Sequence, residues 1–343
     1  MTLRRPVPST RPTRREFVQG VGIAGLGLLA GCGQLPWQAQ ARVPRIGWLG
    51  NVRADANLDP NFEAFREGLR GLGYADGQNI VIEVRWSEGR VERLPALATE
   101  LVRLQPDVLV TTTTLPTQAA MQATSTIPIV FCAVGDPAGL GMVASLARPG
   151  GNITGQSDLF VGLSGKRLEL LKEAVPSAAR VAVLWKPANP ASVLEWGETQ
   201  QAARALGLEP ISAEADSGDD LPRAFETIAG AHPDALIILS AAYTSVISTP
   251  RLPEFIARSR LPTMHYRRED VAAGALMAYG PRLVSQYRRA AYYVDRILKG
   301  TPPAEIPVEQ PREFDFVINL KTAQTLGLTI PPHVLLQATE VIQ

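Results

Sequence analysis

The sequence predicts an α/β protein of two lobes, each a parallel sheet with helices on both faces. Three observations carry that expectation. Short strands of continuous apolar residues alternate with segments of helical period, as strands buried on both faces require. The alternation runs through twice, in blocks of about 110–125 residues on either side of Asn152, with no close repeat between them. The chain has 343 residues, 45% of them apolar and 20% charged, which suits about two domains with buried cores.

The elements follow in order. Val43 to Leu49 reads as a buried strand ending at Gly50-Asn51. Phe62, Phe65, Leu69 and Leu72 then share one helical face, and residues 73–77 turn the chain. Ile80 to Val84 is a second strand. A helix from Glu92 to Leu104 lines up Leu94, Leu97, Leu101 and Leu104, and Pro106-Asp107 stops it. Val108 to Val110 is a third strand running into four threonines, Thr111 to Thr114. Gln118 to Thr124 is helical, and Ile129 to Phe131 is a fourth strand.

The second block repeats the pattern. It has helices at Leu168–Ala174, Val193–Leu206 (closed by Gly207), Leu221–Ala229 and Pro253–Arg258. Its strands fall at Arg180–Trp185, Glu209–Ser212, Ala235–Leu239, Pro262–Met264 and Ala275–Tyr279. A long helix, Leu283 to Leu298, buries Tyr287, Ala290, Ala291, Val294 and Ile297, and Thr301-Pro302-Pro303 ends it. Phe314 to Ile318 is a strand expected to return to the first sheet. Thr322–Leu326 and Val334–Ala338 are short helices split by Pro331-Pro332. The expected layout is a leading segment 1–41, a first lobe of 42–154 plus 281–320, a second lobe of 155–280 and a helical tail, 321–343, packed on the lobes.

The leading segment reads as an export signal. Residues 1–17 are rich in arginine with Glu16 as the only acid, and the apolar run Val18 to Ala30 is too short to span about 30 Å of hydrocarbon. Thr13-Arg14-Arg15-Glu16-Phe17 has the form of a twin-arginine signal. Two processing sites are open: a lipobox at Leu29-Ala30-Gly31-Cys32, with lipid on Cys32, or small-x-small cleavage at Ala39-Gln40-Ala41. Gly20-Val21-Gly22-Ile23-Ala24-Gly25 matches a dinucleotide fingerprint by letter only, since no strand precedes it.

Composition narrows the function. A net charge of +1 and a 6% aromatic share give no electrostatic or stacking reason to expect nucleic acid. Cys32 and Cys132 cannot frame a disulfide scaffold, and His232, His265 and His333 lack metal-ligand spacing, so neither metal nor cofactor is expected. Residues 162–166, Gly-Leu-Ser-Gly-Lys, match neither a nucleophile elbow nor a P-loop. Cys132 ends an apolar strand and reads as a buried structural thiol. No nucleophile–base pair stands out, so an enzyme is not expected.

Ligands of paired α/β lobes bind outside the carboxyl ends of the strands. Thr112, Thr113 and Thr114 end a strand that leads into a helix, where hydroxyls and free N–H groups hold an anion such as a carboxylate; the alternative is capping duty for Thr114. Asp136 either meets an ammonium or caps a turn. Tyr243, Tyr266 and Tyr279 sit at strand ends; together they would wall a flat apolar ligand, and the alternative for each alone is core packing. His265 neighbours the cleft. Arg267 to Asp270 reads either as a solvated helix start or as one that turns Glu269 inward toward an ammonium.

Further marks carry a resemblance. They are Gly135-Asp136-Pro137, Pro149-Gly150-Gly151-Asn152-Ile153-Thr154-Gly155, Lys166-Arg167-Leu168-Glu169-Leu170-Leu171-Lys172, Pro307-Val308-Glu309-Gln310-Pro311, and the stretch from Val317 to Ala323 with Leu326 to Pro331. Over about Arg45 to Ile342 the chain resembles the exported substrate-binding proteins of ABC transporters, a family that includes binders of aromatic amino acids. The resemblance implies a fold like the type I periplasmic binding proteins, with three hinge crossings and a central cleft. It further implies closure on an amino acid or small organic acid, delivery to an inner-membrane permease, and a monomer in the periplasm or cell envelope, attached to the membrane only through a lipid. The alternative role is a ligand-sensing input to a chemoreceptor or sensor kinase.

Overall fold

Five short apolar runs build the first sheet: β1 (Arg45–Gly50), β2 (Val81–Trp86), β3 (Val108–Thr112), β4 (Ile129–Val134) and β5 (Ile153–Ser157). They are all parallel, in the order β2-β1-β3-β4-β5. The computed structural model describes residues 42–51, 59–240 and 251–343. Residues 1–41, on which the expected export signal and Cys32 fall, and Tyr243 lie outside the described residues. Every residue of β3 and β4 is buried, as continuous apolar strands covered on both faces must be. Helices α1 (Pro60–Gly71), α2 (Leu94–Arg103) and α3 (Thr114–Ala123) link these strands. At α1 the Asp59 carboxylate accepts the Asn61 N–H at 2.9 Å and Pro60 takes the first turn, so the helix starts where its orphan donors are satisfied.

The second sheet holds β6 (Arg180–Trp185), β7 (Glu209–Glu214), β8 (Ala235–Ile238), β9 (Thr263–His265), β10 (Met277–Pro281), β11 (Phe314–Asn319) and β12 (Glu340–Ile342). Its order is β12-β11-β10-β9-β8-β6-β7. The run β7-β6-β8-β9-β10 repeats the order of the first sheet, so both lobes are doubly wound and each has a switch point, β1/β3 and β6/β8. The associated helices are α4 (Ser164–Ala174), α5 (Pro190–Ala205), α6 (Leu221–Ala231), α7 (Arg251–Ser259), α8 (Arg268–Ala272), α9 (Leu283–Leu298), α10 (Leu320–Leu326) and α11 (Pro332–Leu335). Both faces of each sheet carry a buried apolar cluster. Among the described residues no helix is long and apolar enough to cross a membrane.

The chain passes between the sheets three times: after β5, between β10 and α9, and between Glu309 and β11. Helix α9 belongs with the first sheet, where Tyr287, Ala290, Ala291 and Val294 pack with Trp48, Phe62 and Phe65. Tyr74 donates to Asp295 Oδ1 at 3.0 Å and ties α9 to the end of α1. The crossing strips hold one another, because Ser157 N donates to Glu309 O and Glu309 N to Gly155 O.

Two expectations are corrected. Phe314 to Asn319 does not return to the first sheet. It pairs antiparallel with β10, Tyr279 opposite Phe316. The physical reason is that the third crossing is completed earlier: Val308 and Glu309 already lie against the first lobe through Leu146 and Gly155. The next apolar run then meets the open edge of β10. Segment 321–343 is not wholly helical either, since its end forms β12, parallel to β11. The unpaired edge of β11 recruits it.

Candidate ligand-binding site

Between the lobes lies a cavity of about 630 Å³. The first lobe supplies the start of α1, Asp59 to Asn61. The second supplies Tyr266 to Glu269, and the β10–α9 crossing supplies Gly280 to Val284. Arginines and carboxylates both line it, with Pro60, Tyr266 and Leu283 as apolar walls. Such a mixture suits a small solute carrying both charges on an apolar body. Burial raises the Asp59 carboxyl, while the Asn61 and Phe62 N–H groups and Arg267 pull it back. Tyr266 is 8% exposed and burial holds its phenol un-ionised.

Close backbone approach shapes this wall. A Cβ on Gly280 would lie 2.1 Å from the Tyr266 carbonyl oxygen, so only glycine lets β10 pass there. Behind Tyr266 stands a buried polar group. Arg167 Nη1 donates to Glu195 Oε1 at 2.7 Å and to Ser240 Oγ at 3.2 Å, and its Nε donates to the Tyr279 carbonyl at 2.9 Å. Both partners of the ion pair are fully buried. The guanidinium carbon sits 5.6 Å from the centre of the Tyr266 ring. Burial raises Glu195, opposed by Arg167 and by the hydrogen bonds from Ser240.

The threonine run occupies the carboxyl edge of the first sheet, next to the start of α3. Thr113 has φ 58° and donates its N–H to the Cys132 carbonyl at 2.8 Å. Ala133 and Asp136, across the strand end, also take positive φ. Left-handed backbone at three non-glycine residues on one sheet edge is stored strain of the sort found at binding sites. Thr112 is buried. Thr111 and Thr117 share a hydroxyl contact of 2.8 Å, and Thr117 donates to the Thr113 carbonyl. Thr114 is 1% exposed and its hydroxyl has no hydrogen-bond partner among the described residues.

The other expected residues are more scattered. Asp136 caps a turn, accepting the Gly139 N–H at 2.8 Å. Glu269 lines the cavity with an exposed side chain 4.0 Å from Arg267. Tyr279 stacks on Phe314 and meets Phe316 edge-on across the β10–β11 ladder. His265 is buried beside Asp270, 3.6 Å away. Cys132 is fully buried and burial pushes its thiol up, away from thiolate chemistry. Thus Tyr266 and Glu269 share the cavity, the threonines sit at the opposing sheet edge, and Asp136 and Tyr279 make local contacts.

Sequence reasoning missed Asp158, Arg167 and Glu195. A signal existed for two of them. Arg167, Leu171 and Ala174 fall on one buried helical stripe, and so do Ala191, Glu195, Thr199 and Ala203. A charged residue on a buried stripe needs a partner. Asp158 carries no such signal, because it lies between elements.

Comparison with known proteins bears on this geometry. The sequence profile of the family described as "ABC transporter substrate binding protein" matches residues 51–342. A curated tyrosine-binding protein of Clostridioides difficile is 25% identical over 318 residues, covering 90% of each chain. A conserved domain protein from Vibrio cholerae superposes with a TM-score of 0.81 at 30% identity, over 88% of this chain and 100% of that one. A Streptococcus pneumoniae ABC domain crystallised with L-Trp superposes with a TM-score of 0.80 at 28% identity, over 87% and 99%.

Proposed function

The chain belongs to the ABC transporter substrate-binding protein family, and from that premise we propose that it captures an amino acid or small organic acid between its lobes for an ABC importer. The observation that carries the reading is the cavity of about 630 Å³ built jointly by the start of α1, Tyr266 to Glu269 and the Gly280 crossing. Relatives that bind tyrosine and L-Trp favour an aromatic amino acid. The lobes close about the three crossings, exclude water and strengthen the polar contacts to the solute. Thr113 and Thr114 would hold a carboxylate, and Tyr266 would form an apolar wall. The export signal would carry the protein to the periplasm or envelope, where it meets an inner-membrane permease.

Thermal unfolding of the mature chain with amino acids, their deaminated acids and sugars tests this. A ligand at a hundredfold excess over Kd adds about 2.7 kcal/mol to stability and raises Tm accordingly. Stabilisation by carbohydrates alone would refute the reading. Thr114→Val sharpens the test. It keeps the shape and removes a buried hydroxyl that has no partner among the described residues. Stability is expected to hold or rise by up to about 1 kcal/mol, while ligand affinity falls about tenfold. Unchanged affinity in a titration would remove the threonine from the site.

A further inference from the structure

Three ionisable side chains are shut away together where the chain first leaves the first sheet. Asp158 is 2% exposed, and Arg167 and Glu195 are 0%. Arg167 and Glu195 satisfy each other, and Ser240 adds its N–H and O–H to the carboxylate. As a unit that pair is neutral. Asp158 is the remainder. Its carboxyl accepts the Phe160 N–H at 3.2 Å, and among the described residues no Lys, Arg or His pairs with it. The phenols of Tyr266 and Tyr287 lie near enough to feel its charge.

One guanidinium therefore stands against two buried carboxyl groups, and a buried carboxylate without a cation is costly. A second oddity sits alongside: Arg167 Nη2 is buried with no hydrogen-bond partner among the described residues. Burial raises Asp158 well above the usual carboxylate range, Glu195 adds to the rise and Arg167 opposes it. Ionising the group with no cation beside it is therefore disfavoured. Asp158 directly follows β5, on the first crossing between the lobes, the part of the chain about which the proposed closure turns. Tyr266 connects the two regions, lining the cavity and facing Arg167.

We infer that Asp158 is the recognition residue for a ligand ammonium group, so that the protein selects amine-bearing solutes over the matching carboxylic acids. This rests on the proposed capture of a solute between the lobes. On binding, the ammonium keeps its proton and pairs with the carboxylate, and the Asp158 proton leaves to solvent. No bond to carbon changes.

Calorimetric titration of the mature wild-type chain tests this with three matched pairs: L-tryptophan and 3-indolepropionate, L-tyrosine and 3-(4-hydroxyphenyl)propanoate, L-leucine and 4-methylpentanoate. In the pair that binds, the amine is expected to bind about 10- to 100-fold tighter. Its binding enthalpy should differ between phosphate and Tris at one pH, reporting release of up to one proton. Asp158→Asn should lower amine affinity by the same factor and leave the deaminated acid within about threefold. Equal affinities of amine and acid for the wild type, or an unchanged preference in Asp158→Asn, would overturn the inference alone. Should that variant not fold, the wild-type preference and proton count decide. Failure of every pair to bind overturns the inference together with the capture reading.

Discussion

Arg167→Met is expected to lower the unfolding free energy by about 3–5 kcal/mol, the usual cost of removing one partner from a buried ion pair. The substitution keeps most of the side-chain volume. It leaves Glu195 without its cation, removes the donor to the Tyr279 carbonyl and takes away a guanidinium that acts on Asp158. The loss has a pH signature. A carboxyl whose folded pKa lies above its unfolded value of about 4 takes up a proton on folding, so it costs stability above that pH and ceases to cost below it. Glu195 and Asp158 are both raised by burial, and Arg167 lowers both. Without Arg167 they rise further. The deficit of the variant should therefore be largest near pH 8 and shrink as pH falls toward 5. Denaturant melts of both proteins at the two pH values check this. A deficit independent of pH would assign Arg167 a packing role only.

Gly280→Ala is expected to impair both stability and ligand affinity. The new methyl would sit 2.1 Å from the Tyr266 carbonyl oxygen, a backbone atom that cannot rotate aside. Strand β10 must then move from β9, where Ala278 pairs with His265. Overpacking of this kind costs about 1–3 kcal/mol. Because Tyr266, Gly280 and Pro281 all line the cavity, the shift is delivered to the site itself. A loss of binding of about tenfold or more is expected beside the loss of stability. Gly162→Ala is the control, since a Cβ there meets nothing within 4 Å. Denaturation and titration of both variants check the contrast. Equal behaviour of the two would show that the Gly280 contact does not shape the site.

Some features were legible in the chain and others were not. The long helix Leu283 to Leu298 was readable to the residue, because its apolar stripe repeats over four turns and Thr301-Pro302-Pro303 stops it. The third-crossing strand was readable as a strand but not as a member of the second sheet. Its side chains, buried in either place, do not distinguish the two. Tyr266 and Glu269 were found as strand-end residues on the general rule for α/β sheets. Asp136 was found by the same rule, yet its carboxylate is engaged by the Gly139 N–H. Strand-end position says which residues are near the cleft, and local hydrogen bonds say which are already used.

The sequence by itself determined the alternation of strand and helix, the doubling into two lobes and the family, because apolar periodicity and turn residues act over a few positions at a time. Tertiary structure alone decided where β11 and β12 pair, which buried hydroxyl lacks a partner among the described residues, and that Asp158, Arg167 and Glu195 are buried with two carboxyl groups to one guanidinium. Those facts depend on distances between residues far apart in the chain, and electrostatic energy in a low-dielectric interior is set by such distances and not by local pattern.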